Sequence, residues 1–340
     1  ISPGEAWDNF VEFLKVISIF VVIVNVVRTE RRFRGMLILA MAVSVLVSFN
    51  AFDDYRSGLL EMRGERVKGV LGGLFANPND LALHLVSMVP LAAGLALARR
   101  GALKKICYGV CAALFVAGIV VSFSRGGFLG LVAVTGVVAW KLGRKNRVVV
   151  AALMAVTFAV FVAVAPGEYG SRITSMFGGD ITGSVDARRD LLWRSVLVAL
   201  RYPIFGVGLG NFHHRGAQEQ VSHNAYTQVA AEMGIAALVV YVMFMVTSIR
   251  GLRRIERESF SEKDRAGFYY LSIGLQASLI GYMVSSFFAS VAHLWYVYYL
   301  VGYAVCLRRL YVLKYGEAGS EPSGAKLDHP QIESARIPST

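Results

Sequence analysis

"KKICYGVCAALFVAGIVVSFSRGGFLGLVAVTGVVAWKLGRK" (residues 104–145) decides the fold. Two long apolar runs lie between lysine- and arginine-rich flanks, and a four-residue turn, Ser124-Arg125-Gly126-Gly127, separates them. Runs near 20 residues are long enough to cross a bilayer as helices. Basic flanks at both far ends place those ends together on the cytoplasmic side. The short turn, with its arginine, then lies on the other side, at the membrane boundary. A cation there either snorkels from a helix end or serves a ligand, and the two glycines let a backbone or ligand approach closely.

The same pattern extends along the chain. Apolar segments fall at about 11–27, 36–52, 80–98, 103–122, 127–141, 147–165, 223–249, 266–290 and 292–312, which predicts nine spans. Basic clusters follow every second span, at 28–34, 98–105, 141–147, 250–265 and 308–309. Ile1 is therefore expected outside and the C-terminus inside. Of the 340 residues, 55% are hydrophobic and 17% charged, below the usual charged share of a soluble domain. The net charge of +12 is explained by cytoplasmic loops, with no call for a nucleic-acid partner. The expected organisation is spans over 1–52, an outer loop over 53–79, four spans over 80–165, an outer loop over 166–222, three spans over 223–312 and a disordered cytoplasmic tail over 313–340. The loop-like start "ISPGEAWDNF" suggests that spans precede Ile1. Cys107, Cys111 and Cys306 lie in apolar runs and read as buried small hydrophobes.

Polar residues collect at the outer boundary. "NPND" (77–80) is a turn and helix start, with Asn79 or Asp80 as N-cap, and His84 one turn on reads as a packing histidine or as lining a polar cavity. The loop of 166–222 holds Arg172, Arg188, Arg189, Arg194, Arg201 and Arg215 and no lysine. Guanidinium grips phosphate oxygens in a bidentate fork, so this choice hints at phosphate recognition. Glu168, Asp180, Asp186, Asp190 and Glu219 are candidate partners for most of these arginines. Residues 186–203 predict a short amphipathic surface helix, with Leu192, Val196 and Ala199 on one face, Trp193 at the interface, and Arg188 and Arg189 at its start. Two cations there oppose the helix dipole, which suits a site where a ligand brings negative charge. "PIFGVGLGNF" (203–212) lacks the strand and βαβ unit of a dinucleotide loop and reads as backbone that admits another chain or a sugar. Ser222 or Asn224 can cap the seventh span, and His223 at its outer mouth is a proton acceptor suited to neutral pH, with His213 and His214 as competitors. Glu232 lies deeper in apolar sequence and needs a partner, Gln228 or an arginine of another span.

"LFANPNDLA" (74–82), "SFSRGGFLGL" (122–131), "RRDLLWRSVLVALRYPIFGVGLGNF" (188–212) and "SHNAYTQVAAEMGIAAL" (222–238) together resemble the O-antigen ligase and polymerase family of bacterial envelope enzymes, over roughly residues 65–300. The resemblance implies an all-α polytopic integral membrane protein, a GT-C-like helical bundle with outer-face loops. It implies an inverting glycosyltransferase of the bacterial inner membrane, its site facing the periplasm. The donor would be a polyprenyl-diphosphate-linked glycan, and the acceptor a lipid A core, a growing glycan or a protein hydroxyl. Neither a metal nor a nucleotide sugar is required. Carried over residue by residue, Arg125, Arg189 and His223 are the catalytic candidates, with Arg188 one residue off as a rival to Arg189. Arg188, Arg215, His214, Asn224, Glu232 and Asn77 are substrate-binding candidates. The loop of 166–222 is shorter than in many ligases, and ligase and polymerase both remain open. A lipid-linked glycan or solute transporter is the reading from another class, although transporters place binding groups near mid-membrane and in repeated halves. A scaffold for envelope assembly is the third.

Overall fold

The structure is a computed structural model describing residues 2–57, 60–61, 66–67, 75, 77–99, 101–143, 147–148, 151, 155, 159, 184–215 and 222–316. Its helices are α1 (Pro3–Val26), α2 (Glu30–Arg56), α3 (Pro78–Leu97), α4 (Ala102–Val121), α5 (Arg125–Gly143), α6 (Ser184–Arg201), α7 (Ala225–Met233), α8 (Ile235–Ser259), α9 (Ala266–Ser285) and α10 (Trp295–Tyr315). Short 3-10 turns occupy Asn211–Arg215 and Ser286–Phe288, and Leu60–Glu61 pairs antiparallel with Arg66–Val67. Among the described residues seven stretches are long and apolar enough to cross a membrane: α1 to α5, α8 and Lys263–Phe288. The protein is an all-α polytopic membrane protein. Most of the apolar segment at 147–165 lies outside the described residues, as does the tail beyond Gly316.

Local chemistry sets the helix starts. Residues 3–10 are helical, not loop: Ser2 caps α1, its hydroxyl accepting from the Glu5 N–H at 3.4 Å, and Pro3 stands where a missing N–H costs nothing. For the same reason the cap of α3 is Asn77, with Pro78 following, and not Asn79 or Asp80. Cys107, expected to be buried, faces outward from the exposed first turns of α4, while Cys306 is buried.

Helices α3 and α9 form the centre of the bundle. They meet through small residues: Gly94 lies against the Tyr270 carbonyl, Gly274 against that of Pro90, and Ser278 Oγ donates to Ser87 O at 2.6 Å. Close backbone approach of this kind is how helices associate where lipid removes the hydrophobic drive between them. Helices α4 and α5 flank α3, α2 packs on α3 and α4, and α8, α10 and α1 close the side beyond α9. One end of the bundle gathers the basic residues, with Lys314 on Glu30 at 2.7 Å and Lys141 on Glu256. The opposite end gathers residues 2–9, 77–80, 122–127, 208–214, 222–228 and 285–295 through the contacts described next.

Candidate functional site

The turn before α5 is built from serines. Ser122 Oγ donates to Ile119 O at 2.7 Å and accepts from Ser124 N at 3.3 Å, and Ser124 Oγ caps the new helix by accepting from Gly127 N at 3.1 Å. Ser124 Oγ also donates to Asn79 Oδ1 at 2.8 Å, which ties this turn to the start of α3. The two glycines after Arg125 admit protein and not a ligand: a Cβ on Gly126 would press on Phe288, and one on Gly127 on Ala82. Arg125 is half-buried and, among the described residues, has no hydrogen-bond or ion-pair partner. It is the first residue of α5, where unpaired N–H groups already favour an anion.

The apolar segment at 223–249 is not one span. Gly234, at φ +93°, breaks it into α7 and α8. The glycine-rich segment explains the break. Val207 N donates to Ala231 O and Gly208 N to Glu232 O, both at 2.9 Å, and Ile235 N donates to Pro203 O at 2.8 Å. The end of α7 and the start of α8 thus take their missing partners from residues 203–208. Gly206, at φ +66°, lies so close to the backbone of Glu232 and Met233 that no side chain fits. What this segment admits is another part of the chain.

Ahead of α7, Asn224 is the cap, its Oδ1 accepting from Tyr226 N at 2.9 Å and Thr227 N at 3.1 Å. Ser222 Oγ donates to Asn224 O at 3.0 Å and lies 3.3 Å from Ser290 Oγ. His223 between them is half-buried and left-handed, at φ +51°. Among the described residues the one other non-glycine with positive φ is Phe123, two positions before Arg125. Such a backbone costs on the order of 1–3 kcal/mol and concentrates at functional sites.

The connection after α9 joins these pieces. Ser285 Oγ donates to Gly126 O at 3.2 Å, Tyr226 OH donates to Met283 O at 2.8 Å, and Ser290 meets Ser222. The Arg125 turn, the Asn77 cap and the His223 turn therefore share one end of α9. Glu232 is buried, and among the described residues its partner is neither Gln228 alone nor an arginine. His293 Nε2 lies 2.8 Å from its Oε2, with Gln228 Nε2 at 3.5 Å. His293 was missed in the sequence, although a lone histidine beside an apolar run ("VAHLWY", 291–296) is the same signal that singled out His223.

Helix α6 packs on α7, with Leu191, Phe212 and Ala231 forming a small core of their own. Its buried stripe is Leu191, Ser195 and Ala199, one position away from the expected Leu192 and Val196, while Trp193, Leu200 and Phe205 are exposed. The helix begins at Ser184, so Arg188 and Arg189 stand in its second turn, and Arg189 is exposed. The side chains of Arg188 and Arg215 lie outside the described residues, as does Arg172. His214 is engaged by Glu5, its Nε2 2.7 Å from Oε2, and Asn77 is an exposed cap whose Oδ1 accepts from Asn79 N. His84 is the packing histidine of the two alternatives, because the cavity beside it is apolar and not polar. It is buried, 2.9 Å from Ser44 Oγ, packs on Phe75 and Trp295, and borders an apolar cavity of about 430 Å³ between α2, α3 and α10.

A family model described as O-antigen ligase matches residues 110–242, the stretch that holds Arg125, Arg189, His223 and Glu232. The match supports the O-antigen ligase and polymerase family and, with it, glycan transfer of that general kind. No curated protein matches the chain.

Proposed function

We propose that this chain, supported as an O-antigen ligase- or polymerase-type protein by the match over residues 110–242, moves glycan from a polyprenyl-diphosphate carrier to an acceptor hydroxyl at the outer face of the bacterial inner membrane. The observation that supports this most is the meeting of the Arg125 and His223 turns at the end of α9 away from the basic residues. The basic end is then cytoplasmic. In this reading the acceptor oxygen attacks the anomeric carbon, the bond to the diphosphate oxygen breaks, and configuration inverts. His223 takes the acceptor's proton as general base. Arg125, at a helix start with no protein partner among the described residues, supplies fixed positive charge to the departing diphosphate, and Arg189 adds a second cation from α6. Glu232 and His293 hold α7 behind His223.

Proteoliposomes containing the full chain and lipid-linked oligosaccharide test this reading, with glycan length and diphosphate-lipid release as readouts. Lengthening without added acceptor identifies a polymerase. Reaction only with lipid A core or a protein acceptor identifies a ligase. No diphosphate-lipid release with any acceptor refutes the proposal and favours a transporter or scaffold.

A further inference from the structure

Where α1 meets the turn after the glycine-rich segment, three metal-ligating side chains converge. Glu5 Oε2 lies 2.7 Å from His214 Nε2 and 3.4 Å from His213 Nε2, and one ligand atom from each of the three residues lies within 4.8 Å of the others. The scaffold under them is fixed. Ser2 N donates to Asn211 Oδ1 at 3.1 Å, Asn211 Nδ2 donates to Val207 O at 3.2 Å, and the Asn9 side chain fills the space where Gly210 would carry a Cβ.

The hydrogen bonds settle which atoms face inward. His213 Nδ1 lies 2.6 Å from Gly210 O, and a carbonyl only accepts, so Nδ1 carries the proton. In the neutral ring Nε2 is then a lone pair, facing a carboxylate oxygen at 3.4 Å. Two electron-rich atoms at that separation leave a place that a shared cation suits. The His213 ring lies against that of His214, with centroids 4.0 Å apart, which holds the two imidazoles side by side at the Glu5 carboxylate. A histidine that bonds a carbonyl through one nitrogen and offers the other inward is the usual arrangement of a metal-ligating histidine. Tetrahedral Zn²⁺ with bonds of about 2.0–2.1 Å has ligand atoms about 3.4 Å apart. The Glu5–His213 pair already has that spacing, and the Glu5–His214 pair has to open by a few tenths of an ångström.

We propose that Glu5, His213 and His214 bind a divalent transition-metal ion, Zn²⁺ by ligand type, which fastens the first turn of α1 to residues 210–214. Two imidazoles and one carboxylate leave a fourth position for water. The ion takes the place of the proton shared by His214 Nε2 and Glu5 Oε2, and that proton leaves to solvent. All three side chains are partly exposed, so the ion has a route in. It takes no part in glycan transfer, for which the proposed site uses only arginines and a histidine.

The test uses the full chain in detergent, free of any polyhistidine tag and stripped with chelator, then titrated with Zn²⁺, Co²⁺ and Mg²⁺. One equivalent of Zn²⁺ should bind, Co²⁺ should show the strong visible bands of tetrahedral coordination, and Mg²⁺ should compete poorly because it prefers oxygen ligands. His214→Ala should weaken Zn²⁺ binding by more than the roughly 10–100-fold that losing an outer-shell partner costs. Glu5→Gln, at a half-exposed position on the first turn of α1, keeps a hydrogen-bond acceptor and tests the site should His214→Ala not fold; about 10-fold weaker binding is expected. Amides of residues 208–214 should exchange more slowly with Zn²⁺ present. Tetrahedral Co²⁺ bands that are absent, or Zn²⁺ binding equal in wild type and both variants, overturns the proposal and leaves a proton-bridged cluster.

Discussion

Truncating His293 to alanine isolates the best-defined polar contact at the candidate site. Glu232 is 3% exposed and holds His293 Nε2 at 2.8 Å, while the Gln228 contact, at 3.5 Å, is at the limit of a hydrogen bond. Breaking a buried pair by removing one partner costs about 3–5 kcal/mol when nothing replaces it. His293 retains 15% side-chain exposure, so water can enter the space it leaves, and the cost falls toward the roughly 1.5–3 kcal/mol of a hydrogen bond to a charged group. His293→Ala should therefore lose about 2–3 kcal/mol. Glu232→Gln removes the buried charge and keeps a partner for His293, so a loss below about 1 kcal/mol is expected. The double variant should be more stable than His293→Ala alone, because no carboxylate is stranded. The assay is reversible unfolding in mixed micelles, with the four proteins compared as a double-mutant cycle. A His293→Ala loss within about 0.5 kcal/mol of zero, or additive losses in the cycle, would refute the account of this pair.

Three further outcomes follow from the same geometry. Gly206→Ala meets both a left-handed backbone, worth about 1–2 kcal/mol, and a collision with the end of α7, so it should destabilise by at least 2 kcal/mol in the same assay; a neutral result would mean that residues 203–208 do not cap α7. Asn224→Ala removes the cap that bonds Tyr226 N and Thr227 N and should cost about 1 kcal/mol, with Asn224→Ser restoring most of it; equal losses in both would argue against capping. Ser124→Ala removes both the α5 cap and the bond to Asn79, so it should raise hydrogen exchange at residues 126–128 and at the start of α3 together; a change at only one of the two would break the proposed link.

Hydropathy made the bundle legible because lipid imposes length and composition on a span whatever its neighbours do. The Arg125 turn was legible for the same reason, as a cation between two such runs. The break at Gly234 was not, because the sequence stays apolar across it; the break depends on residues 203–208, far away in the chain, supplying carbonyl and amide partners. The role of those glycines was half visible. Their pattern announced close approach, and only the fold shows that the approaching body is the end of α7. His293 escaped notice because pairing with Glu232 joins two residues 61 positions apart, and a lone histidine carries no spacing signal. The same holds for Glu5 and His214, 209 positions apart. The one-residue shift of the buried stripe on α6 has a simple cause. Ser195 is buried where the larger Val196 was expected, and its short side chain satisfies itself on Leu192 O at 2.7 Å.

The most direct measurement is a comparison of donor binding with diphosphate-lipid release for His223→Asn and Arg125→Lys in proteoliposomes. Asparagine tolerates the left-handed backbone at this position, so the first variant should fold and bind donor like the wild type. Its release rate should fall by about 100-fold or more, the usual share of a general base. Arg125→Lys should bind donor less well, because an ammonium lacks the bidentate fork. Release by His223→Asn at the wild-type rate, or donor binding unchanged in Arg125→Lys, would contradict the account.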